Sequence, residues 1–167
     1  MKCICFSDSH GRGEFIEKAL RIHPDAEVIF FLGDGLKDID KLAYDRTKMV
    51  IAVQGNCDYL PIFGDSIVKK TDSITLMGYR IFLTHGDLYG VKYGLDGVKK
   101  LASDHRADLV LFGHTHDPLE KYIPTDDGGY YLFNPGSIAG KNAVPPSYGI
   151  INLTDKGILL SHGAIKL

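Results

Sequence analysis

No apolar run in this 167-residue chain approaches the length of about 20 residues that a bilayer-crossing helix needs, so no membrane span is expected. The opening MKCICFSDSH has too short an apolar run, and no small-residue cleavage site, to read as a signal peptide. Excess charge of either sign is also missing. Nineteen basic and twenty-one acidic residues leave a formal charge of −2, which argues against a broad basic face and an extended nucleic-acid surface. Cysteine is scarce: three residues, an odd number without zinc-ribbon spacing, point to reduced thiols and a cytoplasmic protein. Cys3 and Cys5 share a face of the first strand and are expected to be small core residues. With no linker, repeat or low-complexity segment, residues 1–167 are expected to form one domain.

Glycine is plentiful, nineteen in all, and most of it lies between apolar runs. KCICFS (2–7) reads as a strand. GRGEFIEKALRIHP sets Phe15, Ile16, Ala19, Leu20 and Ile22 at helical spacing, closed by Pro24. AEVIFFLGDG is continuously apolar, as strands buried on both faces of a parallel sheet are. LKDIDKLAY repeats a helical pattern, and KMVIAVQGNCD is a further buried strand. This β-α-β-α-β order predicts right-handed crossovers and a parallel sheet. The pattern changes at residue 66, where 66–87 predicts two or three antiparallel strands turning near Gly78. Residues 91–105 predict an amphipathic helix with Val91, Leu95, Val98, Leu101 and Ala102 on one side, against the preference of Gly94 and Gly97. ADLVLFGHTH is another buried strand, and hairpins turning at 126–129 and 155–157 complete the chain. The expected fold class is α/β, with mixed sheets and helices outside them.

The strand ends carry the chemistry. Successive apolar runs finish at Ser7-Asp8-Ser9-His10, Gly33-Asp34-Gly35, Gly55-Asn56-Cys57-Asp58, Thr84-His85-Gly86-Asp87 and Gly113-His114-Thr115-His116. In α/β folds the crevice outside the carboxyl ends of the strands is where ligands bind. Two carboxylates, one amide oxygen and four imidazoles suit manganese, iron, zinc, cobalt or nickel rather than calcium. Asp34, on the second strand, has two oxygens with which to bridge a pair of ions. His23, His105 and His162 lie in helix ends or the last strand and are assigned no role. GSIAGKN (136–142) is one residue short between its glycines and lacks Ser or Thr after Lys141, so it is not read as a P-loop.

Together these blocks resemble the calcineurin-like metallophosphoesterase superfamily, whose D-x-H, G-D, G-N-H-[DE], G-H or H-G and G-H-x-H motifs they follow in order from Asp8 to His116. NPGS at 134–137 extends the match, and the chain looks most like the compact prokaryotic phosphodiesterase branch, which shares its fold with a retromer subunit. The resemblance implies a β-sandwich of two mixed sheets flanked by helices. It implies one divalent ion on Asp8, His10 and His116 and a second on Asn56, His85 and His114, with Asp34 bridging. It also counts Asp34, Asn56 and His114 as catalytic. Such ions lie roughly 3.5–4 Å apart and share a hydroxide that attacks phosphorus in line. Manganese is the first expectation for the metal, with nickel, iron, cobalt or zinc as alternatives, and a small phosphoester is the expected substrate.

One position departs from the family. Where larger members carry a histidine that protonates the leaving group, this chain has Cys57, a poor substitute donor. Asp58 is expected to orient a ligand from behind, and Arg12 to reach a substrate phosphate. The aromatics around Tyr89, Tyr93, Tyr130 and Tyr131 are read as exposed and would suit a homo-oligomer contact or the core. The competing reading is a scaffold or interaction protein that keeps the fold without catalysis. The seven competent ligand positions favour the enzyme.

Overall fold

The computed structural model describes residues 1–126, 128–140 and 144–166. Asp127 of the predicted hairpin turn and Lys141 of the segment compared with a P-loop lie outside the described residues. In chain order the first strands are β1 (Lys2–Phe6), β2 (Val28–Phe31), β3 (Met49–Ala52), β4 (Ile62–Phe63), β5 (Ser66–Ile67) and β6 (Thr71–Leu76). They are followed by β7 (Tyr79–Thr84), β8 (Leu109–Leu111), β9 (Leu119–Thr125), β10 (Gly128–Asn134), β11 (Ser147–Thr154) and β12 (Gly157–Ala164). Helix α1 spans Gly13–Ile22 and α2 spans Asp96–His105.

One five-stranded sheet has the order β12-β11-β1-β2-β3, the other β6-β7-β8-β10-β9. In the first, β1, β2 and β3 are parallel and β11 and β12 are added antiparallel. In the second, β7, β8 and β10 are parallel between two antiparallel edge strands. Each sheet is thus mixed, with a parallel trio.

Strand parity explains how the layers stack. Cys3 and Cys5 of β1 and Val28 and Phe30 of β2 face the gap between the sheets, meeting Ile81, Leu83, Leu109 and Leu111. Ile4, Phe6, Ile29 and Phe31 face outward, where Phe15, Ile16 and Ala19 of α1 cover them. On the far side, Val98, Leu101 and Ala102 of α2 pack on Phe82, Val110 and Leu132. Each such large side chain contributes roughly 1.5–3 kcal/mol on burial. Because helices cover the outer faces, β1, β2 and β8 are apolar at nearly every position instead of alternating.

Three expectations are corrected. LKDIDKLAY is a 3-10 helix over Leu36–Tyr44. Its apolar residues Leu36, Ile39 and Leu42 repeat every third position and all pack into the cluster beneath α1, a period that 3-10 winding matches. Helix α2 starts at Asp96, not residue 91; Gly94 takes φ +155°, but Val91 and Leu95 still pack into the same cluster. Of the four tyrosines read as exposed, only Tyr93 is so, at 97%; Tyr130 is core, Tyr131 leans on Tyr122 and Tyr89 packs beside α2. Among the described residues, no helix is long and apolar enough to cross a membrane.

Candidate metal centre

The carboxyl ends of the two parallel trios meet. Asp8 and His10 follow β1, Asp34 follows β2 and Asn56 follows β3; His85 follows β7, and His114 and His116 follow β8. The structure brings all seven together, in two groups whose donor atoms each lie within 4.8 Å of one another: Asp8, His10 and His116, and Asp34, His85 and His114. Asn56 joins the second, its Oδ1 lying 3.1 Å from His85 Nε2.

The loops are strained where they carry these groups. Asp8 (φ 56°), His10 (43°), Asp34 (60°), His114 (66°) and His116 (66°) all occupy the left-handed region. Only two other non-glycine residues do so among those described, Met77 in a turn and Arg106 at the end of α2. A side chain in that region costs about 1–2 kcal/mol, and such strain persists where surrounding structure imposes it, as at binding sites. Two glycines make the close approach possible without positive φ. A Cβ on Gly55 would run into the Asp34 carboxylate and backbone nitrogen, and one on Gly113 would strike Ser7 Oγ.

The polar wiring leaves the inward atoms without hydrogen-bond donors. Asp8 is fully buried; its Oδ2 accepts from Ser7 Oγ at 2.6 Å and from the His114 N–H at 3.0 Å. Its Oδ1 has no hydrogen-bond partner, although His116 Nε2 lies 3.1 Å away and His10 Nε2 3.8 Å. His85 Nδ1 lies 2.7 Å from the Leu32 carbonyl and must donate to it, so the Nε2 of a neutral ring is an acceptor. That Nε2 faces Asn56 Oδ1 at 3.1 Å, His114 Nδ1 at 3.1 Å and Asp34 Oδ2 at 3.4 Å. Acceptors crowded on a buried point repel one another unless a cation or a proton sits among them.

The charge balance shows the same demand. Burial alone would lower the basicity of His85, but Asp34 and Asp8 beside it raise it above the ordinary histidine value. Burial opposes ionisation of Asp8, yet His116, His85 and the Ser7 hydroxyl bring its carboxyl below the usual range. Asp34 is likewise held low, against its burial, by His85 and by the Cys57 N–H at 2.7 Å. His114 is lowered by burial and by the charge on His85. A divalent ion among these groups would supply the positive charge that Asp8 and Asp34 favour there. The donors fit such an ion.

Sequence reasoning placed Asp58 behind the ligands without its partners. Its carboxylate accepts from the N–H groups of Asp34 (2.8 Å), Gly35 (2.8 Å), Leu36 (3.0 Å) and Gly55 (2.9 Å), locking the β2 loop to the β3 loop. Two other staples were missed. Asp38 accepts from Ser9 Oγ at 2.5 Å and the Gly11 N–H at 2.8 Å, holding the first loop. Asn134, at the end of β10, donates to the Gly113 carbonyl (2.9 Å) and Thr115 Oγ1 (3.0 Å), while Ser137 donates to the Asp8 carbonyl (2.8 Å). NPGS was the available signal: it closes the sixth parallel strand as the ligand motifs close the other five.

The half-exposed guanidinium of Arg12 lies 3.3 Å from Glu14 and 5.3 Å over the Phe15 ring. Cys57 is exposed, and its thiol is pushed up to about 11 by burial of the sulfur and by Asp34, Asp58 and Asp8. It therefore stays protonated near neutral pH.

Compared with known proteins, residues 1–156 match the calcineurin-like phosphoesterase superfamily domain. The chain is 30% identical over 138 residues to the probable metallophosphoesterase YsnB of Bacillus subtilis, covering 83% of this chain and 75% of that protein. It is 30% identical over 172 residues to the phosphodiesterase YfcE of Escherichia coli, covering 91% and 88%. The fold is also that of vacuolar protein sorting 29 from Cryptosporidium parvum, with a TM-score of 0.73 at 15% identity over 98% of each chain.

Proposed function

Because the chain belongs to the calcineurin-like phosphoesterase superfamily, we propose that residues 1–167 are one cytoplasmic phosphodiesterase domain working with two divalent ions, manganese first among them. Asp8, His10 and His116 would hold one ion, Asn56, His85 and His114 the other, with Asp34 between them. The observation that carries this is the inward face of the site, where the buried Asp8 Oδ1 has no hydrogen-bond partner and His85 Nε2 faces the oxygens of Asn56 and Asp34 and a ring nitrogen of His114. Three free thiols, which suit a reducing environment, support the cytoplasmic compartment.

Ions bound there supply a water acidic enough to serve as hydroxide near neutral pH, together with positive charge for the phosphoryl oxygens. The remaining work falls to the chain. His85 is aimed by its bond to the Leu32 carbonyl, and Asp8 by Ser7 and the His114 N–H, so neither donor must reorganise on binding. Asp34 bears the central negative charge and is kept ionised. At the position where larger family members carry a histidine, the Cys57 thiol is a weak acid for the leaving oxygen. Esters of acidic alcohols or phenols are therefore the favoured substrates.

The test is hydrolysis of bis(4-nitrophenyl) phosphate by protein stripped of metal and reloaded with Mn²⁺, beside Asp34→Ala. Turnover restored by metal in the wild type alone is the expected result. A protein that binds Mn²⁺ yet turns over neither diesters nor monoesters would refute the enzyme and turn attention to a protein partner.

A further inference from the structure

Beside the cluster lies a cleft of about 310 Å³ whose lining includes His10, Asp34 and Cys57 together with Lys37, Tyr59 and Leu60. Tyr59 is 90% exposed and Leu60 63% exposed, an apolar wall left open to solvent. Neither is on a loose segment. The preceding Asp58 is fixed by its four N–H donors, its carbonyl accepts from Gln54 Nε2 at 2.9 Å, and the Leu60 carbonyl accepts from the Ile62 N–H at 2.9 Å.

Asp34, Asp38 and Asp58 bring negative charge to the cleft, but the carboxylates of Asp58 and Asp38 are turned toward internal donors, Asp58 to backbone N–H groups and Asp38 to Ser9 and Gly11. Lys37 is exposed, and among the described residues no carboxylate lies within ion-pairing distance of it. Its ammonium is thus a cation without an ion-pair partner at the cleft, next to an aromatic and an aliphatic surface. The volume of the cleft is at the lower end of small-molecule sites, about 300–1,000 Å³, enough for one ring system and too little for an extended chain.

We propose, on the phosphoesterase reading above, that this cleft is the leaving-group subsite and selects phosphodiesters whose leaving group is a ring-bearing anion of low basicity. The ring packs on Tyr59 and Leu60, and the departing oxygen points toward Lys37. As a water-derived oxygen forms its bond to phosphorus, the bond to the leaving oxygen breaks and the electron pair goes to that oxygen. Lys37 offsets the charge without giving up a proton, and the phosphomonoester product loses its extra proton to solvent.

The experiment measures binding of methyl benzylphosphonate, whose ring is joined through an uncleaved P–C bond, and, as the ring-free control, methyl methylphosphonate to the Mn²⁺-loaded protein and to Tyr59→Ala by calorimetry. Tyr59 is too exposed for its truncation to disturb the core. The wild type should prefer the benzyl compound about three- to tenfold, the range expected for an aromatic contact, and Tyr59→Ala should lose that preference while keeping its affinity for the ring-free ester. A preference intact in Tyr59→Ala overturns the subsite. Absence of affinity for both esters, with Mn²⁺ shown to be bound, overturns the phosphoesterase reading and the subsite with it. In parallel, Lys37→Ala should steepen the dependence of kcat/KM on leaving-phenol basicity and Lys37→Arg should restore it. An unchanged slope in Lys37→Ala removes Lys37 from the assignment.

Discussion

Replacing Asp58 by asparagine should loosen two loops at once. In the native protein one carboxylate accepts four backbone N–H groups at 2.8–3.0 Å, three of them in buried bonds, and the side chain is 9% exposed. A bond to a charged acceptor contributes about 1.5–3 kcal/mol. Simple addition would exceed what single substitutions usually cost, because the four share one group and water can enter when it is lost. Asparagine keeps one oxygen but turns an NH₂ toward N–H groups that can only donate. A loss of about 3–4 kcal/mol is therefore expected, within the range of a broken buried network. The metal-free protein isolates this effect, because no ion then adds to stability. Urea unfolding of metal-free wild type and Asp58→Asn gives the difference, and calorimetric titration with Mn²⁺ gives the consequence for the site. Since Asp58 holds the N–H groups of Asp34 and Gly55, affinity should fall about 10- to 100-fold. A stability loss below about 0.5 kcal/mol, the range of an ordinary surface change, with unchanged Mn²⁺ affinity, would refute the stapling argument.

Three further outcomes follow from the same geometry. In metal-free protein the His85 basicity is raised in the folded state, so its contribution is fully present below about pH 6.5 and is lost as pH rises through the folded value. The urea midpoint should fall between neutral and alkaline pH by more in wild type than in His85→Asn, and parallel curves would count against it. Alkylation by iodoacetamide should mark Cys57 alone in the native protein, since Cys3 and Cys5 are fully buried, and its rate should rise about tenfold per pH unit up to the thiol value of about 11. Peptide mass spectrometry checks this, and modification of Cys3 or Cys5 at native conditions would contradict the packing. Finally, Gly55→Ala should weaken Mn²⁺ binding more than tenfold on the order of a 1.4 kcal/mol clash, because the added methyl meets the Asp34 carboxylate; normal binding by calorimetry would show that the loops can part.

The donor residues were legible in the chain because their signal is local. Each interrupts an apolar run with a Gly-rich polar step, and strand, helix and turn patterns are read over windows of a few residues. The 3-10 winding of LKDIDKLAY is not separable from an α-helix in the chain, because the three-residue spacing of Leu36, Ile39 and Leu42 also fits an α-helical face. What local patterns could not carry was the meeting of two sheets. β1 pairs with β11 and β2, β8 with β7 and β10, and the resulting trios bring residue 8 beside residue 116. The supports depend on strand neighbours within each sheet: Asp58 on residues 34–36 and Asp38 on Ser9 and Gly11 in the first, Asn134 on Gly113 and Thr115 in the second. Residue type decided which atoms can bind a cation. Only nonlocal packing decided that they face one another, buried and short of donors.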